Sequence, residues 1–317
     1  MIIKPLSLKK LKTVPLSQRK IDSDSKDFGA PYKAGNSLED FLCSLPNLGC
    51  AGDLFHIRDA IVSAYRNKYA VILACGGHVF DSGLGPMICR LIEQKIITGL
   101  ALTGDALEQD VEIAISGRTV TARERELRDG NYCITEETGC LINDAINYGA
   151  LENQGIGNSV GKRLNETEFE HLDHSVLATA FRYGVPVSVH PSIGADAFCL
   201  HPAARGESLG STSIKDFRLL AGMMAASSHG VVINIASSVV LPRVLLQGVD
   251  AARNVGKNIE SLTTAVIDPA ASSSAITDVV NRLSSPNGAG FWLSGPDEIL
   301  VPLLFASVVE TLGDEVI

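Results

Sequence analysis

The residues able to do chemistry fall in short segments of small and charged side chains. The first is Cys75-Gly76-Gly77-His78-Val79-Phe80-Asp81-Ser82-Gly83. A glycine-rich loop between strand and helix lets a backbone approach a phosphate and leaves helix amides free to bind it. The spacing is not G-x-G-x-x-G, and a tight turn accounts for the same glycines. The second segment, Thr103-Gly104-Asp105-Ala106-Leu107-Glu108-Gln109-Asp110, places Glu108 where it could accept hydrogen bonds from ribose hydroxyls. The plainer alternatives are Asp105 as a helix cap and Glu108 in a first turn against the helix dipole. In the third, His190-Pro191-Ser192-Ile193-Gly194-Ala195-Asp196, an imidazole and a carboxylate could converge on one pocket as base and amine-binding anion.

Two further segments are weaker. Ala236-Ser237-Ser238 has residues small enough for a cofactor to lie against a sheet edge, or serines that cap the next helix. Gly295-Pro296-Asp297-Glu298 opens a helix whose dipole the two acids complement. His78, His190 and His201 with Asp196 share no short ligand spacing, so no metal site is expected. His171 and His174 stand three apart among Glu168, Glu170 and Asp173, the pattern of a solvated helix face.

The elements that must position these segments alternate. Short continuous apolar runs at 69–74, 99–103, 185–189, 230–235 and 263–267 suit strands buried on both faces. Pro186 must sit at the first residues of its strand or at a bulge. Helical spacing is expected from a cap at Asp53 through Ala64, and over 84–94, 106–115, 166–183, 215–228, 242–254 and 296–312. The alternation predicts an α/β fold, a Rossmann-like, mostly parallel sheet with helices on both faces. Such sheets bind ligands at the carboxyl ends of their strands, where the segments above fall.

Composition narrows the class. The chain has 317 residues, is 45% hydrophobic and carries a net charge of −9, so a large core is available. An acidic chain is a poor nucleic-acid binder and suits a cationic partner better. No run of 18 apolar residues occurs, so no transmembrane helix is expected. Residues 1–50 are polar and irregular and are expected to form an extended N-terminal arm, with 51–317 as one α/β domain. The first 20 residues hold six Lys or Arg and no acid, broken by Pro5 and Pro15. They read as an arm rather than a targeting segment, and the expected compartment is cytoplasmic. Seven cysteines at irregular spacing, with no C-x-x-C, argue against a disulfide framework and for mostly buried free thiols.

Taken in order, these segments resemble the deoxyhypusine synthase superfamily. The resemblance rests on the basic stretch 9–20, Ser82-Gly83 and its following helix, and Leu107-Glu108-Gln109-Asp110. It continues through Val185-Pro186-Val187, Gly194-Ala195-Asp196, Ala236-Ser237-Ser238-Val239-Val240 and Ile299-Leu300-Val301-Pro302-Leu303-Leu304. It implies NAD as cofactor, homotetramers with active sites between subunits, and an amine substrate. By position it sets Gly76, Gly77, His78, Asp81, Thr103, Gly104, Glu108, Ser237, Ser238, Thr264 and Ala265 at NAD, and Asp196 at the substrate amine. With His190 and Glu298, Asp196 makes the expected catalytic set.

The departures are specific. The synthases carry an imine on a lysine in a Trp-Gly-Lys tripeptide, whereas here no lysine follows Lys257 and Trp292 precedes no Gly-Lys pair. The family's triple glycine is replaced by Ala236-Ser237-Ser238. A lysine-bound imine at that position is therefore unavailable. The leading expectation is an NAD-dependent enzyme acting on a polyamine or basic amino acid, by deamination or homospermidine-type transfer, without a lysine imine. Two alternatives stand beside it. One is a non-catalytic ligand-binding or regulatory paralogue, and the other is a different reaction built on His78, His190 and Glu298.

Overall fold

A computed structural model describes residues 4–119 and 134–316. Its centre is a six-stranded, all-parallel sheet in the order β3-β2-β1-β4-β5-β6. The strands are β1 Val71–Cys75, β2 Gly99–Thr103, β3 Val187–His190, β4 Val231–Ile235, β5 Thr263–Ile267 and β6 Ala289–Leu293. This is the doubly wound order of dinucleotide-binding sheets, whose connections reverse between β1 and β4 and leave a crevice outside the carboxyl ends.

Both faces of β1 are apolar, which is why its sequence runs without alternation. Val71, Leu73 and Cys75 face one core, and Ile72 and Ala74 face the other. The first core is closed by α2 Gly49–Asn67, α4 Gly85–Glu93, α5 Gly104–Ser116 and the last helix, α12 Asp297–Leu312. The second is closed by α9 Gly206–Ala225 and α10 Val240–Asn254, with the π-helical turn Ile276–Leu283 that follows α11 Ser273–Ala275. The edge strand β6 is only half covered. The remaining helices are α1 Leu38–Ser44, α3 His78–Asp81, α6 Glu136–Leu151, α7 Ile156–Asn165 and α8 Val176–Tyr183.

Several boundaries depart from expectation. Asp53 is not a cap: α2 starts at Gly49, and Gly52 already belongs to the buried face continued by Leu54, Ile57 and Ile61. Residues 38–44 form a helix, capped reciprocally by Ser37 and Asp40, within the stretch expected to be extended. The helix expected over 166–183 is broken. α7 ends at Asn165, Leu172–His174 makes a single turn, and α8 starts afresh because Ser175 caps it. α9 begins at Gly206 rather than 215, since Leu209, Thr212 and Asp216 share its buried side. Pro186 stands just before β3, where its carbonyl accepts from the Leu100 amide. Of the cysteines, Cys75, Cys89 and Cys199 are buried, Cys50 and Cys140 half-buried and Cys43 exposed, all as free thiols. Cys133 lies outside the described residues. No helix among the described residues is long and apolar enough to cross a membrane.

Candidate functional site

The strand ends gather the chemically capable residues into two groups. The first lies after β2 and β3, where Thr103 and His190 are paired across the ladder. Thr103 turns directly into α5, its hydroxyl accepting from the Ala106 amide at 3.4 Å, so Thr103 and not Asp105 is the cap. Gly104 is a glycine because the Asp196 carboxylate lies against it: a Cβ there would stand 1.9 Å from Oδ2. The same oxygen accepts from the Ser192 amide at 2.6 Å. Glu108, one turn into α5, accepts from the Phe198 amide at 2.7 Å and so anchors the loop after β3. Asp196 and Glu108 both bear on Cys199, whose thiol is pushed up to about 12, mainly by burial. His190 is buried with Nε2 3.1 Å from the Ser188 hydroxyl, and burial lowers its pKa to about 4, keeping the ring neutral.

The second group lies at the switch point. Gly76 packs against the backbone of Ala236, whose carbonyl oxygen a Cβ would meet at 2.0 Å. Ala236 itself holds φ +52°, in the left-handed region that favours glycine, where the sequence resemblance sets a triple glycine. Gly77 packs against the Asp105 carboxylate and Gln109, and Gln109 in turn donates to Asp81 at 2.9 Å. The Ser237 hydroxyl accepts from the Leu241 amide, and Ser238 donates to Asp268 at 3.1 Å. His78 reaches across to the start of α12, where its Nε2 is 3.4 Å from Asp297 Oδ1. The Asp297 side chain is 1% exposed, and the groups facing its oxygens are the His78 ring and the Glu298 carboxyl. Burial raises its pKa, with His78 acting against the shift.

Glu298 therefore joins His78 and Asp297, not His190 and Asp196. The first group follows β2 and β3, and the second follows β1, β4 and β6. Thr264 and Ala265 join neither. They lie fully buried in the first half of β5, and the Thr264 hydroxyl donates to the Val279 carbonyl. A ligand outside the carboxyl ends meets Asp268 instead, the residue after that strand. Asp297 is the site residue that sequence reasoning gave only to the helix dipole. Its place four residues past the end of β6, at the carboxyl edge of the sheet, was the available signal.

Charge is the property the two groups share. The first seven residues after the six strands are 76–82, 104–110, 191–197, 236–242, 268–274 and 294–300. They carry Asp81, Asp105, Glu108, Asp110, Asp196, Asp268, Asp297 and Glu298 and no Lys or Arg. Such an edge attracts cations and opposes a diphosphate. Among the expected NAD residues the Cβ faces of the glycines pack against Ala236, Asp105 and Asp196, and Thr103 and Ser237 spend their hydroxyls on helix amides. A cavity of about 420 Å³ opens by Pro186 and Val187, at the start of β3.

No family model and no curated sequence matches this chain. Solved structures do. A conserved LOR/SDH protein from Methanococcus maripaludis S2 is 14% identical with a TM-score of 0.50, over 88% of this chain and 72% of that one. Unliganded AgrE is 13% identical with a TM-score of 0.53, over 82% of this chain and 33% of AgrE. The ternary complex of AgrE with ornithine and NAD+ is 14% identical with a TM-score of 0.51, over 86% of this chain and 35% of AgrE. This chain thus spans about a third of AgrE's length. At these identities the likeness is one of fold, and the fold is the deoxyhypusine synthase-like α/β fold that the sequence resemblance implies.

Proposed function

We propose that this chain binds a small cationic amine, a polyamine or a basic amino acid, at the carboxyl edge of its sheet and acts on it as an enzyme. The observation that carries this reading is the edge itself: the residues that follow the strands carry carboxylates, Asp196 among them, and not one Lys or Arg. Asp196 holds the cationic nitrogen, because its carboxylate is buried, fixed by the Ser192 amide, and directed at the turn into α5. His190, neutral at the carboxyl end of β3, accepts a hydrogen bond from the amine. With a pKa near 4 it orients the nitrogen rather than storing a proton.

NAD enters this reading through the fold, since AgrE of the same fold holds NAD+ together with ornithine. The filled glycine faces weigh against it. The same observation, with the absence of lysine after Lys257, favours a second reading, a non-catalytic amine-binding paralogue. The two separate in one experiment. The protein is mixed with NAD and with spermidine, putrescine, ornithine or arginine in turn, and NADH absorbance is followed. Steady NADH formation with one amine supports the enzyme, whereas amine binding with no NADH and no thermal shift by NAD supports the paralogue.

A further inference from the structure

The His78, Asp297 and Glu298 group lies apart from Asp196 and His190, and its geometry asks for an occupant. Asp297 is a carboxylate whose side chain is 1% exposed, faced by the His78 ring and the Glu298 carboxyl, with no amide or hydroxyl of another residue donating to either oxygen. An ionised carboxylate so placed is costly unless a cation faces it. One ligating atom from each of the three residues lies within 4.8 Å of the other two, and this is the one such His, Cys, Asp or Glu group among the described residues. The His78 Nε2 to Asp297 Oδ1 distance is 3.4 Å. A tetrahedral ion with bonds of about 2.0–2.1 Å holds two of its ligand atoms about 3.4 Å apart.

We propose that His78, Asp297 and Glu298 bind one divalent transition-metal ion of the zinc or manganese kind. The donor set decides the class: an imidazole beside two carboxylates suits such ions, whereas calcium and magnesium are taken by oxygen alone. The three donors come from two elements, α3 after β1 and the first turn of α12 after β6, so the ion ties the switch point to the last helix. Three protein ligands leave a coordination position open to solvent on the side of His78, whose ring is 60% exposed.

The test uses the full chain after chelator treatment, titrated calorimetrically with Zn2+ and with Mn2+, and loaded with Co2+ for visible absorption. One ion per chain is expected, with the Co2+ bands of a four-coordinate N/O site. His78→Ala and Glu298→Gln should each weaken binding by at least ~10-fold, as removal of a site's supporting group commonly does. Asp297→Asn should abolish it. Without metal, the Asp297→Asn protein should melt no lower than the wild type, because an uncompensated buried charge is gone. His78 and Glu298 are exposed, so their variants keep the test valid if Asp297→Asn fails to fold. No heat with either ion at millimolar concentration would overturn the proposal, as would binding that His78→Ala leaves unchanged. Binding of putrescine but not of metal, lost in His78→Ala and Glu298→Gln, would overturn it in favour of a second amine subsite.

Discussion

At the scale of single residues, Asp196 carries the proposed specificity. The residue is 8% exposed, so an ammonium group paired with its carboxylate is largely desolvated. Asp196→Asn keeps an acceptor for the Ser192 amide but removes the charge. Amine binding measured by calorimetry should weaken by about 2–5 kcal/mol, and an unchanged affinity would move the amine elsewhere on the edge. Ala236 gives a second case. Its φ of +52° is strained for any residue with a Cβ. Ala236→Gly should raise the unfolding free energy by about 1 kcal/mol, checked by denaturant titration. Both residues were legible in part. Asp196 stood out as an acid six residues past a histidine, and Ala236 as a replacement for glycine. Thr264 and Ala265 were not, because positional resemblance carries no strand register. It sets them half a strand short of the edge, where Asp268 stands.

At the scale of elements, two buried carboxylates fasten helices from outside. Asp110 on α5 accepts from the Ser175 hydroxyl at 2.6 Å and from the Val176 and Leu177 amides at 2.7 and 3.1 Å, so it caps α8 across the fold. Asp216 on α9 accepts from the Gly157 amide at the start of α7 and from Val189 in β3, at 3.0 and 2.9 Å. Burial still dominates these bonds and raises Asp110 to about 6 and Asp216 to about 7, from 3.8. The folded protein thus holds these protons more tightly than the unfolded chain. Their contribution is fully present below pH 4 and is lost as pH rises through 6 and 7. His190, lowered to about 4 from 6.5, has the opposite slope between those values. Two carboxylates outweigh one imidazole, so stability should fall by on the order of a few kcal/mol between pH 5 and 7.5. Urea midpoints across that range check this, and a rise would contradict it. Asp216→Ala should cost about 3 kcal/mol at neutral pH, since it strands two buried amides. The strands were plain in the sequence as short apolar runs. The start of α8 was not, because its cap partner Asp110 lies 65 residues from Ser175 and leaves no local signal.

At the scale of the whole molecule, the arm and the anionic edge remain to be matched with partners. The arm from Lys4 onward is exposed almost throughout, and Leu6, Leu8, Leu11, Val14, Leu16 and Ile21 each leave more than half of their surface in water. Apolar residues spaced along a basic segment are suited to cover another surface, and the homotetramer implied by the resemblance supplies one. Light scattering should return a tetramer mass, and deletion of residues 1–20 should lower it. A monomer at every concentration would contradict this. The strand order was legible only as a class, since alternation predicts a parallel sheet but not which loops meet at its switch point. The anionic edge follows once the strand ends are known, and it is tested most directly by amine titration without any cofactor. Calorimetry of spermidine, ornithine and arginine against the full chain should show saturable binding of at least one, weakened by added salt and by Asp196→Asn. No saturable heat for any of them up to millimolar concentration would contradict the assignment of this edge as an amine site.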